Sequence, residues 1–313
     1  MAVRKVEREL EQMGTLRHAP ADEARAALRK ALKDPVNLMV AKAAAIAAER
    51  QFRELIPELV RAFDRLAADG ARRDPKCWGK SAIARALAEM EHREPAVYLR
   101  GMTCIQMEPV WGATVDTADI LRGICVLGLV ACTEMRREEI LRALVDAAAD
   151  SAGTVRAEAV RAIAQMDEPL LLRLKARMGD PAPEVMGQVF DSLLALEGEE
   201  AVQFVAGFLR SGEHREEAAM ALGSSKLAGA VTVLREALGE LGDVREVLLR
   251  ALSLSRQEEA LAFLMEQVRC ARPADAIAAV QALALHPDLR EQVAAAAGAR
   301  EEEVRDAFRQ AWR

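Results

Sequence analysis

The 313-residue sequence predicts an all-α fold, a right-handed α-solenoid of about nine helical hairpins. Three observations carry the prediction. The chain is 51% hydrophobic but only 4% aromatic, with seven Phe, three Trp and one Tyr, so its core must be built from Ala, Leu, Val, Ile and Met, the residues of close helix packing. Segments of useful length show helical spacing: Ile140, Leu141, Leu144, Val145 and Ala148 fall on one helical stripe, and no stretch alternates for long enough to make a convincing strand. Finally, one frame recurs: an Asp, a short gap, an apolar residue and an Arg, followed by small or apolar residues three and six positions later.

Taken in order, residues 1–20 read as an N-terminal helix or cap, the helix running from about Val3 to Met13. Residues 21–313 read as a single repeat array, with longer and irregular units to about residue 135. The first two units place Ala41 and Lys80 in the Arg slot. The third reads Leu121-Arg122…Cys125…Gly128-Leu129 and is lengthened by the segment 107–116, MEPVWGATVD. From 136 onward the units are regular. Asp150…Val155-Arg156…Ala159…Ala162-Ile163 is the clearest copy. Val185-Met186, His214-Arg215, Asp243-Val244-Arg245, Asp275-Ala276 and Val304-Arg305 open the others. The slot steps 122, 156, 186, 215, 245, 276, 305, a period near thirty. Asp34-Pro35, Asp74-Pro75, Asp180-Pro181 and Arg272-Pro273 mark helix starts. The last unit, ending at Phe308 and Trp312, reads as a C-terminal cap with Trp312 in the core.

A thirty-residue unit of two short helices cannot bury its own apolar face, whereas stacked units bury it in one elongated core. Small residues in the frame let the second helices approach closely. The Asp is expected to cap a helix and the Arg to pair with the Asp of an adjacent unit. This frame resembles the HEAT repeat, more narrowly the short bacterial form known as PBS-lyase HEAT-like repeats. The resemblance covers about residues 20–313; the Arg is missing at 41, 186 and 276. It implies a superhelix whose second helices line a concave face. The family spans scaffolds, inhibitors, transport adaptors, chromophore lyases and a few enzymes, so it implies little about function.

The totals exclude more than they identify. A net charge of −6 and a pI near 5.5 speak against a general nucleic-acid or anionic-membrane binder. Residues 1–80 nevertheless carry 17 Lys and Arg against 12 Asp and Glu, a net of +5, leaving −11 for residues 81–313. The longest apolar stretch, Ile124–Cys132, is too short to span a bilayer. The start, MAVRKVERELEQ, has no apolar signal region, so a cytoplasmic location is expected. Cys77, Cys104, Cys125, Cys132 and Cys270 are odd in number with no C-x-x-C pair, and they read as small buried hydrophobes. No His precedes a Glu as in the di-iron HEAT hydroxylases, and no metal or cofactor is expected. The repeated Glu-His-Arg-Glu at 91–94 and 213–216 reads as two solvated helix ends.

The candidate site residues lie in the irregular third. Trp111, in the 107–116 insertion, is either a partner contact or a plug that packs back into the array. The plug carries the greater weight, because large apolar residues are more often buried than functional. Arg72, Arg73, Lys76 and Lys80 cluster beside Trp78, as a small anion or acidic-peptide patch or simply as solvated bases. Lys80 and the loop before Arg122 are expected to face one groove. The expected function is a non-enzymatic scaffold or adaptor for a protein or peptide partner. Its rivals are an accessory lyase or modifying enzyme, which only the family name suggests, and nucleic-acid binding through the basic N-terminal third.

Overall fold

The computed structural model describes residues 2–312, and among these helix dominates, with a single two-stranded sheet. The chain forms two compact units, Met1–Met166 and Asp167–Arg313. In the first, the helices are α1 (Ala2–Gly14), α2 (Ala21–Ala31), α3 (Asn37–Glu49), α4 (Ile56–Ala67), the single turn α5 (Gly70–Arg73), α6 (Trp78–Glu89), α7 (Pro95–Met102), α8 (Asp119–Val130), α9 (Arg137–Ala147) and α10 (Gly153–Gln165). Between α7 and α8 the strands β1 (Met107–Val110) and β2 (Ala113–Asp116) form an antiparallel hairpin. The second unit contains α11 (Pro169–Met178), α12 (Pro183–Glu197), α13 (Glu199–Ser211), α14 (Arg215–Ser224), α15 (Ala228–Glu240), α16 (Arg245–Ser255), α17 (Glu258–Cys270), α18 (Pro273–Leu283), α19 (Arg290–Gly298) and α20 (Glu302–Ala311).

Every frame position read from the sequence, from Ala41 to Arg305, falls within the first five residues of a helix: α3, α6, α8, α10, α12, α14, α16, α18 and α20. Each of these packs on a preceding partner, giving four helical hairpins in the first unit and five in the second among the described residues. Within each unit the second helices also pack serially, α3 on α6 on α8 on α10, and α12 through α14, α16 and α18 to α20. These helices are rich in Ala because their backbones must approach closely. A Cβ added at Gly223 of α14 would sit 2.3 Å from the Ala251 carbonyl oxygen of α16.

The Asp of the frame does two things at once. Asp150 accepts from the Ala152 backbone N–H at 2.8 Å, and Asp34 and Asp180 repeat this turn with Val36 and Ala182. Such local carboxylate–backbone bonds compete with helix continuation and so fix the helix start. The Arg of one helical hairpin then reaches the Asp of the next, as Arg122–Asp150, Arg215–Asp243 and Arg245–Asp275.

Several expectations are corrected. The 107–116 insertion is a β-hairpin, with Met107 opposite Asp116 and Val110 opposite Ala113. Four residues per strand, one of them Pro109, are too few to register as alternation. Its turn residues Trp111 and Gly112 both have positive φ, 21° and 83°, the requirement of a type I′ turn. In the 91–94 segment Glu91, Arg93 and Glu94 are exposed, as expected of a solvated helix end, but His92 is buried and its Nε2 finds no partner. Trp312 is half-buried, stacked on Phe308 at 5.0 Å between ring centres. Cys104 is half-buried and Cys270 exposed, so only Cys77, Cys125 and Cys132 behave as core. Among the described residues no helix is long and apolar enough to cross a membrane.

Candidate functional site

The hairpin is held at its base by a run of buried polar groups. Asp74, preceding α6, has a side chain with no solvent exposure. Its Oδ1 accepts from the Gly79 N–H at 2.7 Å and from Asn37 Nδ2 at 2.9 Å, and its Oδ2 from the Lys80 N–H at 2.9 Å. The carboxylate thereby satisfies orphan donors at the start of α6. The Lys80 side chain, equally buried, brings Nζ to 3.3 Å from Asp74 Oδ2 and donates to Gln106 Oε1 at 2.8 Å. Gly70 makes room for this pair, since a Cβ there would lie 2.3 Å from Gln106 Oε1 and 3.2 Å from Lys80 Nζ. Gln106 closes the loop by donating from Nε2 to the Asp74 carbonyl at 2.9 Å. A buried ammonium survives only when paired and hydrogen-bonded in this way.

From Gln106 the network continues into the hairpin. Glu108 Oε1 accepts from the Lys76 backbone N–H at 2.7 Å, from Gln106 Nε2 at 2.5 Å and from Thr117 Oγ1 at 2.8 Å. Asp116 Oδ1 accepts from the backbone N–H groups of Gln106 and Ala118, each at 3.0 Å. Asp116 Oδ2 meets Arg122 Nη1 at 2.5 Å. Burial pushes the Asp116 carboxyl up, but these two backbone donors and the Arg122 guanidinium outweigh it and hold the group below the ordinary carboxylate range. Glu108 is lowered in the same way, burial being overcome by Gln106, Thr117, the Lys76 N–H and the Lys80 charge. Arg122 also donates to the Cys104 carbonyl at 2.9 Å and grips Asp150.

The outer end of the hairpin is bare. Trp111 is 104% exposed, so the plug is overturned: the type I′ turn directs the indole into solvent. Ile105, Met107, Val110 and Val115 on the same hairpin and its approach are exposed too. Trp78, also exposed, opens α6, where Lys76 Nζ lies 5.1 Å from its ring centre in a cation–π contact. The Lys76–Glu108 bond brings this pair to the hairpin. Of the expected site residues, Lys76, Trp78 and Trp111 are therefore solvent-facing around one element. Arg72 and Arg73 are exposed on α5. Lys80 and Arg122 are corrected: both are buried in ion pairs, where they anchor the hairpin and cannot touch a partner. Their burial follows from Asp74 and Asp116, whose carboxylates need a cation once removed from water.

Two features lay outside the sequence reading. Leu170, Leu174 and Met178 form an exposed apolar row along α11. The signal was an excess of leucines in PLLLRLKARM over what one buried face requires. In the second unit, Glu184 and Asp191 of α12 and Glu216 and Glu217 of α14 line an open groove, where the Ser224 hydroxyl donates to Asp191 Oδ1 at 3.3 Å. Their helix spacing was visible in sequence, but not their convergence.

One arrangement with the look of catalysis does not support it. Ser253 Oγ lies 3.0 Å from His286 Nε2, and both residues are buried. Yet the hydroxyl donates to the Ala282 carbonyl at 2.6 Å, and Nε2 also faces the Ser253 carbonyl at 3.0 Å. A nitrogen placed against a carbonyl must carry the proton, so it cannot act as the base that nucleophilic serine chemistry needs. Among the described residues no group of three or more His, Cys, Asp and Glu could hold a metal ion. In comparisons with known proteins, the chain matches neither a family model nor a curated protein.

Proposed function

We propose that the chain is a non-enzymatic binding scaffold, a HEAT-like array that engages a protein or peptide partner through the 107–116 hairpin. The observation that carries the reading is Trp111: a full indole held in water at the tip of a hairpin whose base is locked by buried ion pairs. Exposed clusters of large apolar side chains mark interaction surfaces, and Trp is the residue most enriched among binding anchors. A rigid base lowers the ordering cost on association, so the indole is presented ready to enter a socket. Lys76 and Trp78 supply a cationic and aromatic flank for an acidic or aromatic group beside that socket.

The test is affinity capture from the native host with wild type, Trp111→Asn and a deletion of 108–115. Asn suits the turn, so the first variant removes the indole and keeps the hairpin. The expected result is a specific partner retained by wild type and lost by both variants. A partner bound equally by all three overturns the hairpin as the contact. Turnover of a small molecule by the purified chain overturns the scaffold itself.

A further inference from the structure

We propose that Cys77 and Cys104 are a redox-active pair that closes to a disulfide on reaction with a hydroperoxide, Cys104 attacking and Cys77 resolving. The two are 27 positions apart in sequence, one opening α6 and the other preceding β1. Their side chains nevertheless come within interaction range of each other. Three bonds pin the segments that carry them: Gln106 Nε2 to the Asp74 carbonyl, Lys80 Nζ to Gln106 Oε1, and the Lys76 N–H to Glu108 Oε1. Each cysteine is further fixed by its own backbone, Cys77 N–H to the Asp74 carbonyl at 3.0 Å and Cys104 C=O from Arg122 Nη1 at 2.9 Å. The same network that anchors the hairpin therefore holds the two cysteine-bearing segments side by side.

The two positions are unequal, and this assigns the roles. Cys77 has no solvent exposure, whereas Cys104 is half-buried and open to a small oxidant. Interaction with the Cys77 thiol, aided by the Lys80 and Arg122 cations and opposed by burial and the Asp116 charge, lowers the Cys104 thiol to about 7. The same interaction, followed by burial, keeps Cys77 protonated. Elsewhere, burial raises Cys125 and Cys132, and the exposed Cys270 thiol is raised by its bond to Glu266. The thiolate is the nucleophile, so the half-buried Cys104 is set to outpace the exposed Cys270.

The step balances. Cys104 thiolate attacks one peroxide oxygen, the O–O bond breaks, and the leaving alkoxide takes a proton from water to depart as an alcohol. Cys104 is now a sulfenic acid. Cys77 sulfur attacks Cys104 sulfur, the S–O bond breaks, and the departing hydroxide takes the Cys77 proton as water. Two thiols and one hydroperoxide give one disulfide, one alcohol and one water, a two-electron oxidation of sulfur matched by a two-electron reduction of peroxide.

The test treats the full-length reduced protein with a small excess of hydrogen peroxide at pH 7 and maps the cysteines without reduction over time. The expected result is a Cys77–Cys104 linkage, reversed by a dithiol reductant and formed about tenfold faster than Cys270 oxidises, because a thiol near pKa 7 is about half ionised at this pH. Cys77→Ser should arrest the reaction at a Cys104 sulfenic acid that a dione probe captures. In case that variant misfolds, the wild-type map decides alone. Oxidation of Cys270 as fast as Cys104, or Cys104 stopping at the sulfenic acid in wild type, overturns the proposal.

Discussion

Arg122 holds Asp150 in a two-pronged grip, Nε to Oδ2 at 2.8 Å and Nη2 to Oδ1 at 2.9 Å, across 28 residues of sequence. The remaining arm of the guanidinium reaches Asp116 and the Cys104 carbonyl. One side chain thus joins the start of α8 to the turn before α10 and to the base of the hairpin.

Removing that side chain leaves two carboxylates largely out of water without a cation. Arg122→Ala should cost about 3–5 kcal/mol, read as a fall in the denaturation midpoint. The related Arg215→Ala, whose partner Asp243 is 62% exposed, should cost about 1 kcal/mol or less. Equal losses for the two variants would show that burial does not set the strength of this repeated pair.

The hairpin turn makes opposite demands at its two central residues. Trp111→Asn places a residue suited to positive φ and should leave the melting temperature unchanged or raised. Gly112→Ala forces a Cβ into φ 83° and should destabilise by about 1 kcal/mol. Hydrogen exchange at residues 107–116 reads both; protection falling in Trp111→Asn would count against a type I′ turn.

Acid should loosen the hairpin base before the rest of the first unit. Glu108 and Asp116 titrate lower in the folded chain than in the unfolded one, so the unfolded chain takes up their protons first. The stability they contribute is complete above the unfolded carboxylate value of about 4 and drains away as pH falls through the folded values. Hydrogen exchange over residues 104–118 should rise in that window. Asp116→Asn should flatten the dependence at a lower starting stability; an unchanged profile would remove Asp116 from the account.

Close helix approach in the second unit can be tested at two glycines. A Cβ at Gly223 meets the α16 backbone, which cannot rotate aside, so Gly223→Ala should destabilise by about 1–3 kcal/mol. Gly207 of α13 has nothing within 4 Å of an added Cβ, and Gly207→Ala should stabilise by about 0.5–1 kcal/mol through helix propensity. Thermal melts of the two variants should move in opposite directions.

Helical period, small-residue seams and the Asp–Arg frame were legible because each depends on neighbours at fixed spacing along the chain. The nine frame positions, the helix starts at Asp34, Asp150 and Asp180, and the pairing of Arg122, Arg215 and Arg245 with the next Asp all follow from local rules repeated at one period. The Gly112 turn was legible in principle, yet four-residue strands containing Pro109 gave too short a pattern to read.

Composition, helical spacing and the recurring frame specify an all-α fold, its period and the region that departs from it. Packing between distant segments then sets which charges of that region are buried and which face water. Lys80 and Lys76 are both lysines four positions apart, but one turns inward to Asp74 and Gln106 while the other stays over the Trp78 ring. Trp111 and Cys104 show the same division: a two-residue turn put the indole into solvent, and a buried network brought the Cys104 segment beside that of Cys77, 27 residues away. Side-chain fate here depends on pairing across distant segments, because a charge leaves water only where another segment supplies its counter-charge, and no local pattern encodes that meeting.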